Sequence, residues 1–241
     1  MPSWPIHLAI SKQLNRNWNL PKSEFIYGNI MPDADGRLVP ISVSVPRKTS
    51  HFSKEIDLNG KKVLLPDVEA FRRKYQSYID NPVVIGYLVH LLTDYYFNRI
   101  FNEHYCKYNK EGDFIGVQLK NQKFLYCSYN EANRMKQKDF AKFEYLFEKN
   151  NMLGKSEYEE SIYHHAGWIS EFSFTESDVI SVMKYIYELQ VKEVYSHLDI
   201  DSYQYQIFSE SILLTYFYSC INFIHSYFDH YQLLPLKKND E

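Results

Sequence analysis

Residues 83–97 constrain this chain more than any other segment, because the run is almost wholly apolar yet carries His90 and Asp94 within it. A helix that is apolar on all sides belongs in a protein interior, and Pro82 at its first turn supplies a fitting start. The i,i+4 spacing then stacks His90 and Asp94 on one face of that helix. An ionised carboxylate in such surroundings is costly unless something pairs with it. Two arrangements satisfy the pair: a core histidine bonded to a local aspartate, or two ligands of a metal ion. Spacing alone does not decide, because His51/Glu55, His197/Asp201 and His225/Asp229 repeat the same pattern. Context sets His90 and Asp94 apart.

Around this segment the chain reads as mainly α. Periodicity predicts helices over 7–18, ended before Pro21, over 23–30, and over 67–79 just after Pro66. Three more are expected over 131–149, 175–197 and 206–230, the middle one opened by a Thr175-x-x-Asp178 capping pattern. Alternation around Asn59-Gly60 predicts a small β-hairpin within 55–65, and weaker alternation around Lys120-Asn121 a second within 114–126. Both ribbons are expected to be peripheral, outside the core. No Gly/Ser-rich or Pro-rich linker divides the 241 residues, which argues for a single domain.

Composition narrows the function. A net charge of −3 with dispersed basic residues gives no general attraction to nucleic acid or anionic membrane, so no stable nucleic-acid partner is expected. The three cysteines, Cys106, Cys127 and Cys220, are far apart and form no C-x-x-C, which argues against a disulfide framework and a thiolate zinc site. The first residues lack the basic start and apolar core of a secretory signal, giving a cytoplasmic expectation. The apolar stretch 212–224 is too short for a transmembrane segment and reads as a core helix. Nucleotide-binding glycine loops and the G-x-S-x-G elbow do not occur. The aromatic groups at 185–187 and 216–218 read as core filling rather than a substrate cage.

What remains is a set of five candidate metal ligands in the first hundred residues: His7, Asp33, His51, His90 and Asp94. Three imidazoles and two carboxylates suit one or two divalent transition metals.

The contexts of these residues carry a resemblance. Gly28-Asn29-Ile30-Met31-Pro32-Asp33, Ser50-His51-Phe52 and the segment from Gly86 to Asp94, preceded by a helix with His7, resemble the Gly-x4-Asp, Ser-His-Phe and His-x-x-x-Asp elements of the zinc-dependent phospholipase C family. The likeness is greatest to a compact branch without a secretory signal, and it covers about residues 1–105. It implies a single-domain helical bundle with Asp33, His51, His90 and Asp94 holding one zinc, and Asp94 bridging to a second metal held by His7. Manganese or iron could take zinc's place. The chain also departs from the family. The secreted enzymes use the amine of a terminal tryptophan, whereas Trp4 is internal; Ile100 stands where a third-zinc histidine is expected, and no His-x-x-x-Glu follows. Replacement ligands could come from Glu103, His104, His164, His165 or Glu171. The histidine doublet, beside Gly167 and Trp168, is the best placed of these, with exposed loop histidines as the other reading.

Such a site suits phosphodiester hydrolysis. Zinc lowers the pKa of bound water from about 15.7 to about 7, and a second ion can clamp phosphoryl oxygens. Asp33 is the candidate catalytic residue, as ligand or near-ligand orienting or deprotonating the water. The expected activity is a metal-dependent, phospholipase C-like phosphoric-diester hydrolase acting on a phospholipid headgroup or a small diester. A single-strand nuclease-like phosphodiesterase and a non-catalytic, metal-stabilised binding protein are the alternatives.

Overall fold

The computed structural model describes residues 3–34, 45–58, 60–154 and 174–233. Among them it is mainly helical, with two small antiparallel sheets. The first helix, α1 (Trp4–Trp18), ends on left-handed Asn19, and α2 (Lys22–Ile30) runs into a 3-10 turn, Met31–Asp33. After the short α3 (Arg47–Ser50) come a hairpin, β1 (Ser53–Asp57) with β2 (Lys62–Pro66), and α4 (Val68–Lys74). The central helix, α5 (Pro82–Ile100), is opened by Asn81, whose side chain accepts from Val83 N at 2.9 Å. Every residue from Val83 to Asp94 is buried, as the apolar run demands.

Two glycines set the position of α5. A Cβ on Gly28 would lie 2.0 Å from the Val83 carbonyl oxygen, and one on Gly86 would lie 2.2 Å from that of Phe25. The backbones of α2 and α5 therefore meet where no side chain intervenes. At that crossing Asn29 Nδ2 donates to the Gly86 carbonyl at 3.1 Å. An alanine at either glycine would force the helices apart and move everything α5 carries.

Beyond α5 the chain makes a π-helical turn (Phe101–Tyr105) and a three-stranded sheet of β3 (Cys106–Tyr108), β4 (Phe114–Gln118) and β5 (Phe124–Tyr126), in that order. It then forms α6 (Tyr129–Lys149), α7 (Glu176–Glu188), α8 (Val191–Val194) and α9 (Glu210–Tyr231). Reciprocal capping boxes open α6 (Ser128 with Glu131) and α7 (Thr175 with Asp178).

Several boundaries differ from the sequence reading, each for a physical reason. The helix expected over 67–79 stops at Lys74 and continues only as a 3-10 turn, Gln76–Tyr78. The helix expected over 175–197 breaks after Glu188, where Leu189 (ψ 124°) and Gln190 (φ −122°, ψ 124°) leave helical backbone before the short α8, with Leu189 and Val191 both buried. The last helix starts at Glu210 rather than 206, since the amides of Gln206, Ile207 and Phe208 all donate to the Asp139 carboxylate. The second ribbon gains β3 and is not outside the core, for Val117 and Cys106 belong to the main apolar cluster. The first hairpin forms a small separate cluster of Leu58, Val63 and Leu65, with Tyr95 of α5 against it. Among the described residues no helix is long and apolar enough to cross a membrane.

Candidate metal centre

The five expected ligands come from four places in the fold and converge beside α5. His90 and Asp94 project from one face of that helix, His7 from α1, Asp33 from the 3-10 turn after α2, and His51 from the end of α3. His7, His51, His90 and Asp94 are fully buried, and only Asp33, with its side chain 11 % exposed, reaches the surface.

Their separations are those of a coordination shell. His51 Nε2 lies 3.2 Å from Asp33 Oδ1, 3.3 Å from Asp94 Oδ2 and 3.2 Å from His90 Nε2, and His90 Nε2 lies 3.6 Å from Asp94 Oδ2. Tetrahedral bonds of about 2.0–2.1 Å place ligand atoms about 3.3 Å apart. The other carboxylate oxygen, Asp94 Oδ1, faces His7 Nε2 at 3.5 Å, so Asp94 offers one oxygen to each side. His7 and His90 stack, with ring centroids 4.1 Å apart. Two groups can hold a metal on this geometry: His7, His90 and Asp94, and Asp33, His51 and His90.

Neighbouring groups orient the ligands. His90 Nδ1 donates to the Asn29 carbonyl at 2.8 Å, which leaves Nε2 with its lone pair toward the centre. The Ser50 hydroxyl bonds the Arg47 carbonyl and lies 2.8 Å from His51 Nδ1, an arrangement that aims His51 Nε2 inward. Tyr87 Oη fixes this corner by donating to the Ser50 carbonyl. Two imidazole lone pairs facing each other repel unless a cation or proton lies between them.

The hydrogen-bond inventory points the same way. Both ring nitrogens of His7 and both carboxylate oxygens of Asp94 are buried without a hydrogen-bond partner; their contacts are at ion-pair distance but lack hydrogen-bond geometry. Buried polar atoms are normally satisfied, so the donor set fits a bound cation.

Charge is concentrated here. Burial would raise the Asp94 carboxyl, yet the charge on His90 and the other imidazoles holds it well below the usual range. Burial acts likewise on Asp33, opposed by the Arg47 guanidinium and His51, which hold it low. His51 is lowered by burial but raised on balance by Asp33 and Asp94, whereas burial and His7 push His90 down to about 4. Arg47 was not anticipated. Its Nη1 reaches Asp33 Oδ1 at 2.8 Å and its Nη2 lies 3.6 Å from Asp94 Oδ2, with the side chain 45 % exposed at the lip. Its only sequence signal is its place four residues before His51 on α3.

Among the described residues the other candidates do not join the cluster. Glu103 pairs with Arg99 at 2.8 Å, and His104, His197 and His230 are exposed. His225 packs edge-on against Trp18. His164, His165 and Glu171 lie outside the described residues. Two further buried groups escaped the sequence reading, Glu144 and Lys136 on α6. Glu144 accepts from Ser3 N, Ser3 Oγ and Tyr195 Oη at 3.1, 2.6 and 2.7 Å, and burial raises its carboxyl to about 7. Ser3 immediately precedes α1, so this network anchors the start of the helix that carries His7. Compared with known protein families, curated proteins and solved structures, the chain finds no match.

Proposed function

We propose that this chain is a metal-dependent phosphodiester hydrolase of the kind its likeness to the zinc-dependent phospholipase C family implies. The observation that carries the reading is the convergence of Asp33, His51, His90 and Asp94, in which His51 Nε2 lies 3.2–3.3 Å from a ligand atom of each of the other three and His90 Nε2 lies 3.6 Å from Asp94 Oδ2, beside the partly exposed Asp33 and Arg47. These four would hold one ion, and Asp94 with His7 would contribute to a second. Zinc suits the nitrogen and oxygen donors, with manganese or iron as alternatives. An ion there supplies Lewis acidity that brings water to a pKa of about 7 and offsets charge on phosphoryl oxygens.

The remaining work falls to the protein. Asn29 and Ser50 fix the imidazole orientations before substrate arrives. Asp33, ionised and at the lip, accepts a hydrogen bond from entering water and aligns it. The Arg47 guanidinium, half in solvent, offers a planar fork to the oxygens of a phosphodiester. A bound metal would add positive charge beside the Arg47–Asp33 pair, which suits an anionic diester better than a neutral substrate. The test is hydrolysis of bis(p-nitrophenyl) phosphate by zinc-loaded protein, alongside phosphatidylcholine and single-stranded DNA. We expect slow, metal-dependent turnover of the generic diester, reduced at least a hundredfold in Asp33→Asn. Preference for phosphatidylcholine would mark a phospholipase, and preference for DNA a nuclease. Metal-loaded protein that cleaves none of the three would leave a metal-stabilised binding protein in its place.

A further inference from the structure

A second cleft, of about 510 Å³, lies between the later turns of α1 and the start of α2, and none of the five metal ligands lines it. Its volume is in the range of about 300–1,000 Å³ typical of small-molecule sites. We infer that it binds a small organic anion, one phosphate or carboxylate head on an apolar body, independently of the metal centre.

Three observations converge. The first is charge: among the described residues Lys12, Arg16 and Lys22 line the cleft against a single carboxylate, Glu148, in a chain whose net charge is −3. Glu148 already accepts from the Val191 amide at 3.0 Å. Partial burial, then Arg16 and Lys22, lower the Lys12 ammonium, as expected where like charges face one another. The uncapped start of α2 adds the positive end of a helix dipole.

The second is an unmet hydroxyl. Ser11 is among the residues lining the cleft, is 1 % exposed, and its buried hydroxyl has no hydrogen-bond partner among the described residues. A buried hydroxyl left unpaired destabilises a fold, and alanine would do the packing without that penalty. The third is the apolar part of the lining, Phe25, Ile26 and Leu153, all buried. A lining that is basic at its rim and apolar beneath suits an anion with an aryl or alkyl body better than an inorganic ion. Ser11 is one turn beyond His7 on the same face of α1, about 6 Å along the axis. The two sites are therefore neighbours with separate linings.

The test is isothermal titration of phenyl phosphate, hexanoate and inorganic phosphate into zinc-loaded parent, Ser11→Ala, and the double variant Arg16→Glu/Lys22→Glu. Any phosphate binding at the metal is common to all three proteins, so the difference reports the cleft. Arg16 and Lys22 are exposed, and the milder pair Arg16→Gln/Lys22→Gln guards against misfolding. We expect phenyl phosphate to bind the parent at least tenfold more tightly than inorganic phosphate and to lose at least tenfold in the charge variants. Hydrolysis by the charge variants should be unchanged. Ser11→Ala should raise the melting temperature of the ligand-free protein and weaken phenyl phosphate several-fold. Hexanoate binding as tightly would make the site one for carboxylates as well; much weaker binding would make it selective for phosphoryl groups. Equal affinity in parent and charge variants, or a more stable Ser11→Ala with unchanged affinity, would overturn the inference. So would self-association of the parent that the charge variants abolish, since a second copy would then fill the cleft.

Discussion

Asp94 on α5 and Asp139 on α6 are both fully buried carboxylates with opposite surroundings. Asp139 accepts four hydrogen bonds, from Tyr203 Oη and the amides of Gln206, Ile207 and Phe208, at 2.8–2.9 Å. Asp94 accepts none, and instead faces three imidazoles and a guanidinium at 3.3–3.6 Å. The chain can evidently satisfy a buried acid when that acid is structural. Leaving Asp94 without donors, on the most tightly packed helix, is what a site built around a cation requires.

The contrast can be broken most directly by removing each acid in turn. Asp139→Ala leaves three backbone N–H groups without their acceptor and should cost about 3–5 kcal/mol, whether or not metal is bound. Asp94→Ala should instead abolish the part of the stability that depends on metal. In thermal melts with and without chelator, parent and Asp139→Ala should both drop on chelation, and Asp94→Ala should not move. An Asp94→Ala protein that still loses stability to chelator would erase the distinction.

Glu144 is an intermediate case, with three donors and a carboxyl that burial raises from 4.5 to about 7. Between those values the folded state holds a proton that the unfolded state lacks. Parent stability contributed by this group is therefore complete below about pH 4.5 and lost as pH rises to about 7, on the order of 3 kcal/mol. Glu144→Gln, which keeps the neutral form, should gain on the parent by that amount across the same window in denaturant titrations. Parallel pH profiles would show that Glu144 is not protonated in the fold.

The smallest effect concerns Lys136, whose ammonium lies 3.4 Å from Asn98 Oδ1 and 4.5 Å from the centre of the Phe101 ring, and which burial lowers to about 8. Replacing a buried charge by an apolar side chain of similar volume is often stabilising. Lys136→Met should gain on the parent below about pH 8, with the advantage lost as pH rises from 8 toward 10.5 and the lysine becomes neutral in both states. A loss at pH 7 would mean that the ammonium counterbalances the carboxylates of the centre.

What was legible in the sequence follows the same division. His90 and Asp94 announced themselves because a local pattern, an apolar run with two polar interruptions, already implied burial. His7, Asp33 and His51 were legible through their immediate neighbours, and Gly28 and Gly86 prove to be the contact that holds Asn29 against His90. Arg47, Glu144 and Asp139 were not legible, since their roles depend on partners between 14 and 141 residues away or on amides of another segment. Periodicity tells which face of a helix is buried. It does not tell that a remote carboxylate will claim the amides of 206–208 and delay α9.

Zinc K-edge absorption of reconstituted, dialysed protein, together with its metal content, tests most directly whether the centre holds metal. One or two zinc ions per chain are expected, in a shell of nitrogen and oxygen at about 2.0–2.1 Å without sulfur, falling by at least one ion in His90→Ala. Protein that retains no zinc after dialysis, or a first shell containing sulfur, would contradict it.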